Sequence, residues 1–464
     1  MLKQLILENW KSFRYAELPL DPLTVLIGTN ASGKSNVVEA LEFLHRIVRG
    51  ETIKVAIGGD TKLSNIRGGV DWVAFKPETQ FALKALVPTT DTNIDLLYEI
   101  KVQTKPDIKI LQESVELIDY NDSSEKDVIL LYEKDAKQSY LSEPMIKLNK
   151  IDNDIDEGIE DWKDSQKKIK YLQTSIEILI DNINNIEDLK AQSHEQVKTL
   201  EKVNELINNS FTSRKNSLDK IKLESNSLRN QIVQIDNIIS TLSNIFTFNP
   251  IPSKMRDYSP LSDNLESDAS NIAGVLAALN DKEKSEVETT LSRYIKDFPE
   301  GDIQKVWTEK VGRFGTDAML YCQEQWKPGH ITEIDARTMS DGTLRFIAII
   351  TALLTRPERS QIVIEEIDNG LHPSRAQLLV RILREIGSKR KIDILLTTHN
   401  PALLDALGPE IVPFVVVAHR DSETGESKLT LLENIDNFSK LFASYSLGDM
   451  TAKGAIERSL SHNE

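Results

Sequence analysis

One short stretch constrains this chain more than any other: Gly28-Thr29-Asn30-Ala31-Ser32-Gly33-Lys34-Ser35. An apolar run, Leu23-Thr24-Val25-Leu26-Ile27, precedes it, and Asn36-Val37-Val38-Glu39-Ala40-Leu41 follows with helical spacing. Strand, glycine-bracketed loop and helix with the spacing G-x-x-x-x-G-K-S form a cradle for phosphate. The glycines let consecutive N–H groups face one concavity, and the helix N-terminus adds positive potential there. Lys34 has the reach for the outer phosphates, and the Ser35 hydroxyl suits Mg²⁺. Asn30, Gly33, Lys34, Ser35 and Asn36 are therefore the candidate nucleotide contacts, with ATP and Mg²⁺ as the expected ligands.

At 464 residues the chain exceeds one compact domain. Its single cysteine, Cys322, excludes a disulfide framework within the chain and suits a reducing compartment. The start has no secretory apolar core and no run approaches about 18 uninterrupted apolar residues, so a soluble, cytoplasmic protein with no membrane partner is expected. A net charge of −16 argues against a broad basic surface for DNA, while leaving room for a local basic groove.

Residues 2–27 read as two strands leading to the phosphate loop, and residues 52–142 as an antiparallel meander divided by turn formers such as Pro88 and Pro106. Composition then shifts. No proline occurs from Met145 to Asn249 and no glycine from Ile159 to Ala273. Apolar residues there recur at three- and four-residue steps: Ile169, Leu172, Ile176, Leu179, Ile183 and Ile186, then Val197, Leu200, Ile207 and Phe211. Leu218, Ile221, Leu228, Ile232, Ile235, Ile239, Leu242 and Phe246 continue the pattern. Such a repeat predicts an antiparallel coiled-coil hairpin, its arms about 60 Å long and its tip near 187–196 or 208–216. After turns at Pro250, Pro252 and Pro260, short apolar strands alternate with helices, which predicts a parallel sheet covered on both faces.

Further motifs fall in this last region. Glu365 and Glu366 end the strand 361–364, where open α/β sheets place their ligand sites; on an extended chain they point to opposite sides. Ser340-Asp341-Gly342 opens an apolar helix and offers a second anion site. His399 follows the strand 392–398.

Taken in order, these motifs resemble the ABC-type ATPase head of the SMC, RecF and OLD families. Ile6-Leu7-Glu8-Asn9-Trp10-Lys11-Ser12-Phe13, Arg256-Asp257-Tyr258, Asp268 to Leu276 and Asp368-Asn369-Gly370-Leu371-His372-Pro373 join in the likeness. It covers about 1–50 and 245–450, and is nearest to stand-alone bacterial ATPases with a coiled-coil insertion, such as the AriA and PtuA defence ATPases. The fold it implies is α/β: a head with a mixed sheet and helices on both faces, carrying an inserted helical hairpin. On this basis 1–148 is the N-terminal lobe, 149–248 the insertion and 249–464 the C-terminal lobe.

The resemblance also implies roles. Ser35 and Glu365 would serve the metal, Glu366 would activate water, and His399 would sense the γ-phosphate. Ser340 and Gly342 would contact the nucleotide of a second subunit, with Asp368 to Pro373 along the seam. Glu365 stands where Asp is usual and Ile367 where Pro is common, departures that bear on the rate of hydrolysis. A glutamine coupling nucleotide to the lobes is expected within 62–80, with Gln80 as the candidate. The implied assembly is a homodimer or higher homo-oligomer through heads and coiled coil. Its expected function is ATP-driven control of a separate anti-phage effector, a nuclease or toxin, with DNA or a phage protein as further candidate partners. Two other readings compete: an SMC/RecF-like repair or recombination ATPase that binds DNA, and a nucleotide-stabilised scaffold with negligible turnover.

Overall fold

The phosphate-loop strand is the middle of the molecule's parallel sheet. In this computed structural model the described residues are 2–120, 127–132, 163–181 and 194–461, apart from positions 62, 164–166, 169, 301 and 328. The first strands are β1 (Gln4–Trp10), β2 (Phe13–Pro19) and β3 (Leu23–Ile27). There are thus three strands rather than the expected two. Asp21-Pro22 breaks the run, because proline has no N–H to donate to a ladder, and β3 enters a different sheet from β1 and β2.

Next come β4 (Gln80–Pro88), β5 (Ile94–Gln103), β6 (Lys109–Asp119) and β7 (Asp127–Tyr132). They extend β2 and β1 into an antiparallel six-stranded sheet of order β2-β1-β4-β5-β6-β7. The expected meander therefore begins at Gln80. Residues before it carry two short helices, Ile53–Gly58 and Gly69–Trp72, the first capped by the Thr52 hydroxyl.

The remaining strands are β8 (Ile245–Phe248), β9 (Ser259–Pro260), β10 (Ile303–Val311), β11 (Asp317–Lys327), β12 (His330–Asp335), β13 (Gln361–Ile364), β14 (Asp393–Thr397), β15 (Val415–Arg420) and β16 (Ser427–Leu431). β9 to β12 form a small antiparallel sheet. The sheet that carries the site has the order β16-β15-β3-β14-β13-β8; all its neighbours are parallel except β15 and β16. Every residue of β13 and β14 is buried, as expected for strands covered on both faces. The fold is mixed α/β.

The chain divides into two units, Met1–Ser139 with Asn237–Glu464, and Tyr140–Asp236. In the second, residues 170–181 are helical, and Gln173 Nε2 donates to Asn208 Oδ1 at 2.7 Å. Ile176 is buried there while Leu172 and Leu179 are half exposed. The helix His194–Ser243 runs unbroken through 208–216, which removes that stretch as a hairpin tip. Of the other candidate tip, 187–193 lies outside the described residues. Near the end of this helix Ile238 and Leu242 are fully buried, with Ile239 only partly covered.

Two packing features sit close to the phosphate loop. Trp10 is fully buried, donates from Nε1 to the Asn36 carbonyl at 2.7 Å, and meets Phe81 edge-on at 4.9 Å and Phe43 at 5.8 Å. It ties β1 to the helix that follows the loop. At the start of β14 the Asp393 carboxyl, desolvated by burial and near Asp21, is pushed up to about 6.

Trp10→Ala is expected to lower the unfolding free energy by about 4 kcal/mol, measured by chemical denaturation. Asp393 should act through pH. Below about pH 3 its carboxyl is protonated whether folded or unfolded, and stability is lost as pH rises through about 4, where the unfolded chain ionises, up to 6, because burial holds the folded carboxyl protonated. Asp393→Asn should therefore stabilise the protein by about 2 kcal/mol at pH 8 and change little at pH 4.

Candidate nucleotide site

Three of the parallel strands deliver the site. β3 ends at Ile27 and opens the phosphate loop, β14 lies beside it, and β13, one strand further, stops just before Glu365. Gly28 has φ +142, and a Cβ there would sit 2.1 Å from the Ala418 carbonyl oxygen of β15, so only glycine fits. Gly33 is the N-cap of the helix Lys34–Val48 and supplies no side-chain acceptor. The first N–H groups of that helix are thus left for an anion, as phosphate binding needs. The Ser32 hydroxyl is buried in the loop and has no hydrogen-bond partner among the described residues.

Lys34 Nζ donates to the carbonyls of Gly28 at 2.6 Å and Thr29 at 2.9 Å, which lays its ammonium across the loop. Burial lowers its pKa, and the charges of Glu366 and Glu365 work against that shift. The loop and the paired acids therefore share one electrostatic neighbourhood. Among the described residues no group of three or more His, Cys, Asp or Glu side chains could hold a metal. A magnesium ion here would rest on Ser35, Glu365 and the nucleotide's own phosphate oxygens. The glycine cradle, uncapped helix start, lysine and adjacent carboxylates fit Mg–ATP.

The two glutamates do not alternate as on an extended strand. β13 stops at Ile364, and Glu366 has φ +46, in a turn. A left-handed non-glycine residue costs about 1 kcal/mol, so neighbours must hold it. Glu366 N–H donates to Thr397 Oγ1 at 2.8 Å and Ile367 N–H to the Thr397 carbonyl at 3.1 Å. The carbonyls of Glu365 and Glu366 both accept from Arg345 Nη2, at 3.1 and 3.0 Å. Arg345 Nη1 donates to the Pro250 carbonyl at 2.9 Å. Burial lowers the pKa of this guanidinium, with Asp368 and Glu366 opposing. Thr398 Oγ1 donates to Asp368 Oδ1 at 2.5 Å.

Ser340 is the N-cap of the helix Asp341–Thr355; its Oγ accepts from Thr343 N–H at 3.1 Å. Gly342 is buried against the loop at Gly370, whose carbonyl oxygen would lie 2.6 Å from an added Cβ. Arg256 Nη1 donates to the carbonyls of Ala336, Arg337 and Met339 at 3.0, 2.9 and 2.8 Å, and its Nη2 pairs with Asp341. One side chain thus gathers the whole approach to Ser340. Among the described residues no hydrogen bond or ion pair joins Ser340 or Gly342 to the phosphate loop. His399 is exposed just after β14, and Asn400 beside it caps the helix Pro401–Leu407.

Segment 62–80 contributes an arginine. Arg67 Nε pairs with Glu39 Oε1 at 2.8 Å, and its Nη2 stands 4.0 Å from Glu365 Oε1; Lys11 pairs with the other Glu39 oxygen. Gln80 instead opens β4 opposite Gln103. Arg345, Arg67 and Lys11 carried no expectation from the sequence. Arg345 alone had a local signal, a charge inside the otherwise apolar helical run Leu344 to Leu354.

A family model described as "AAA domain, putative AbiEii toxin, Type IV TA system" matches residues 23–405. The chain belongs to this AAA domain family. Among solved structures, the chain is similar to an Smc head domain with an extended coiled coil, bound to the C-terminal domain of ScpA, from Pyrococcus furiosus. Identity is 12%, coverage 96% of this chain and 99% of that one, and the TM-score 0.42. An SmcHead bound to the C-winged helix domain of ScpA gives 11%, 92%, 96% and 0.46. The SMC head domain from Thermotoga maritima gives 12%, 93%, 98% and 0.38. Comparison with curated proteins finds no match. No helix among the described residues is long and apolar enough to cross a membrane.

Arg345→Ala should destabilise the AAA domain by about 3 kcal/mol, because the carbonyls of Pro250, Glu365 and Glu366 lose their donor inside the protein. Denaturant titration of the purified chain reads this.

Proposed function

We propose that this chain is an ABC-type ATPase head that hydrolyses ATP, pairs face to face with a second copy around Mg–ATP, and controls a separate effector in anti-phage defence. The observation that carries the ATPase reading is the parallel strand order β3-β14-β13, which brings the phosphate loop and the acids that follow β13 to the same edge of one sheet. Phosphoryl transfer asks for little besides positioning and charge stabilisation. Lys34 and the loop N–H groups would hold the β- and γ-phosphates, and Ser35 and Glu365 the metal. Bound magnesium would neutralise charge on the transferring phosphoryl group. Glu366, held in its turn by Thr397 and Arg345, would take the proton from the attacking water.

The pairing of two copies rests on Ser340, Gly342 and their own loop. These residues stand at a helix start, suited to an anion, yet bond to no phosphate-loop residue of the same chain. A second copy's nucleotide would supply the γ-phosphate, with His399 beside it and Asp368 to Pro373 along the seam. In this reading 1–148 and 249–464 make the head, and 149–248 the coiled-coil insertion. Hydrolysis would remove the charge that bridges two heads and release them.

The control role is the furthest step. Its support is the resemblance to defence ATPases together with the family description, which names a toxin and a toxin–antitoxin system. The effector would be a separate nuclease or toxin, and a phage protein or DNA the trigger, in the cytoplasm. Purification with neighbouring gene products tests it: a co-eluting nuclease or toxin supports the reading.

Glu366→Gln should slow ATP hydrolysis by about 100-fold while nucleotide still binds, so that ATP-dependent dimers accumulate in sedimentation velocity. Hydrolysis at the normal rate would remove Glu366 from its role.

A further inference from the structure

The phosphate loop is held from outside by a hairpin almost 400 residues later in the chain. β15 runs parallel to β3 in the register Val415–Val25, Val416–Leu26 and Val417–Ile27, which brings Ala418 against Gly28. Two residues on, Arg420 Nε donates to the Ala31 carbonyl at 3.0 Å, while its Nη1 donates to the Gly425 carbonyl at 2.8 Å. On the far side of the hairpin, Ser427 N–H donates to the Ser12 carbonyl and Ser427 Oγ to Ser12 Oγ, both at 2.8 Å; Asn36 Nδ2 donates to the same Ser12 hydroxyl at 2.7 Å.

Ala31 is the point at which this grip matters. It is a non-glycine residue with φ +63, exposed at the turn of the loop. An alanine side chain disfavours that conformation, so the loop does not hold it by local preference. Ser32 N–H donates to the Thr29 carbonyl at 3.3 Å, so the Ala31–Ser32 peptide is fixed at its N–H end by the loop and at its carbonyl end by Arg420. The direction of that peptide sets where the amides on either side point. A charged donor to a neutral carbonyl is among the stronger single hydrogen bonds.

We propose that Arg420 is a positioning residue for the phosphate loop: its guanidinium, bridging the Ala31 and Gly425 carbonyls, pre-sets the loop amides for the triphosphate and so determines nucleotide affinity. The proposal rests on the nucleotide-binding reading. It assigns Arg420 no contact with the nucleotide, and because the residue is exposed its removal leaves the core intact.

The test uses the full chain with Mg²⁺ and a fluorescent non-hydrolysable ATP analogue. Arg420→Ala should weaken binding about tenfold, raise the KM for ATP in step, and leave kcat within about twofold. Its melting temperature should stay within about 2 °C of the parent. Arg420→Lys keeps one cationic donor and should recover to within about threefold. Lys428→Ala is the control, since Lys428 pairs with Asp421 in the same hairpin; it should bind like the parent. Unchanged affinity in Arg420→Ala overturns the proposal, as does equal weakening in Lys428→Ala. If the parent chain itself binds no analogue, and Lys34→Ala is indistinguishable from it, the nucleotide reading falls and this proposal with it.

Discussion

A guanidinium buried beneath the paired acids is the constraint on which the arrangement of the site depends. Among the described residues Arg345 has no carboxylate in a salt bridge with it; its bonds go to the carbonyls of Pro250, Glu365 and Glu366 and, at 3.4 Å, to Asn249 Oδ1. Its Nε has no partner among the described residues. A buried cation is costly unless its surroundings are shaped for it. Here that shaping aligns four acceptors from two separate stretches of chain: the exit of β8, and the turn after β13 that holds Glu366 in a left-handed conformation. Because Arg345 lies on the helix that Ser340 opens, the start of that helix and the acids share one anchor.

What could be read in advance followed from local chemistry. The phosphate loop, the strand before Glu365 and the helix after Ser340 are each signalled by contiguous residues, and each stands where expected. The site's long-range supports were another matter. Arg420 meets Ala31 from the other end of the chain, and Arg67 meets Glu39 from a loop with no motif of its own. No periodicity records such pairs. The geometry of Glu366 was missed for a different reason. Alternation of side chains holds only while the strand continues, and β13 ends one residue before Glu365. The missed break between β2 and β3 came from reading Leu18, Leu20, Leu23 and Val25 as one apolar run across Pro22.

The phosphate loop is clasped by elements from both of its sheets. On one side the turn between β1 and β2 brings Ser12 to Asn36 and Ser427; on the other β15 packs on Gly28. Trp10 fastens the first of these to the helix behind the loop. Local glycine freedom supplies the loop's shape, and distant side chains decide which of its allowed shapes persists.

The helix ending at Ser243 passes into β8 through Asn244 alone, and its final residues are fastened on two fronts. Leu242 offers its carbonyl to His45 Nδ1 at 3.2 Å, and Asn237 Nδ2 donates to the Pro88 carbonyl at 2.9 Å. His45 belongs to the helix behind the phosphate loop, and the Phe248 carbonyl receives the Glu365 N–H. A linker of one residue has no slack with which to absorb a twist. The last helical turn is thus tied directly to the helix behind the phosphate loop and, through β8, to the turn of the paired acids.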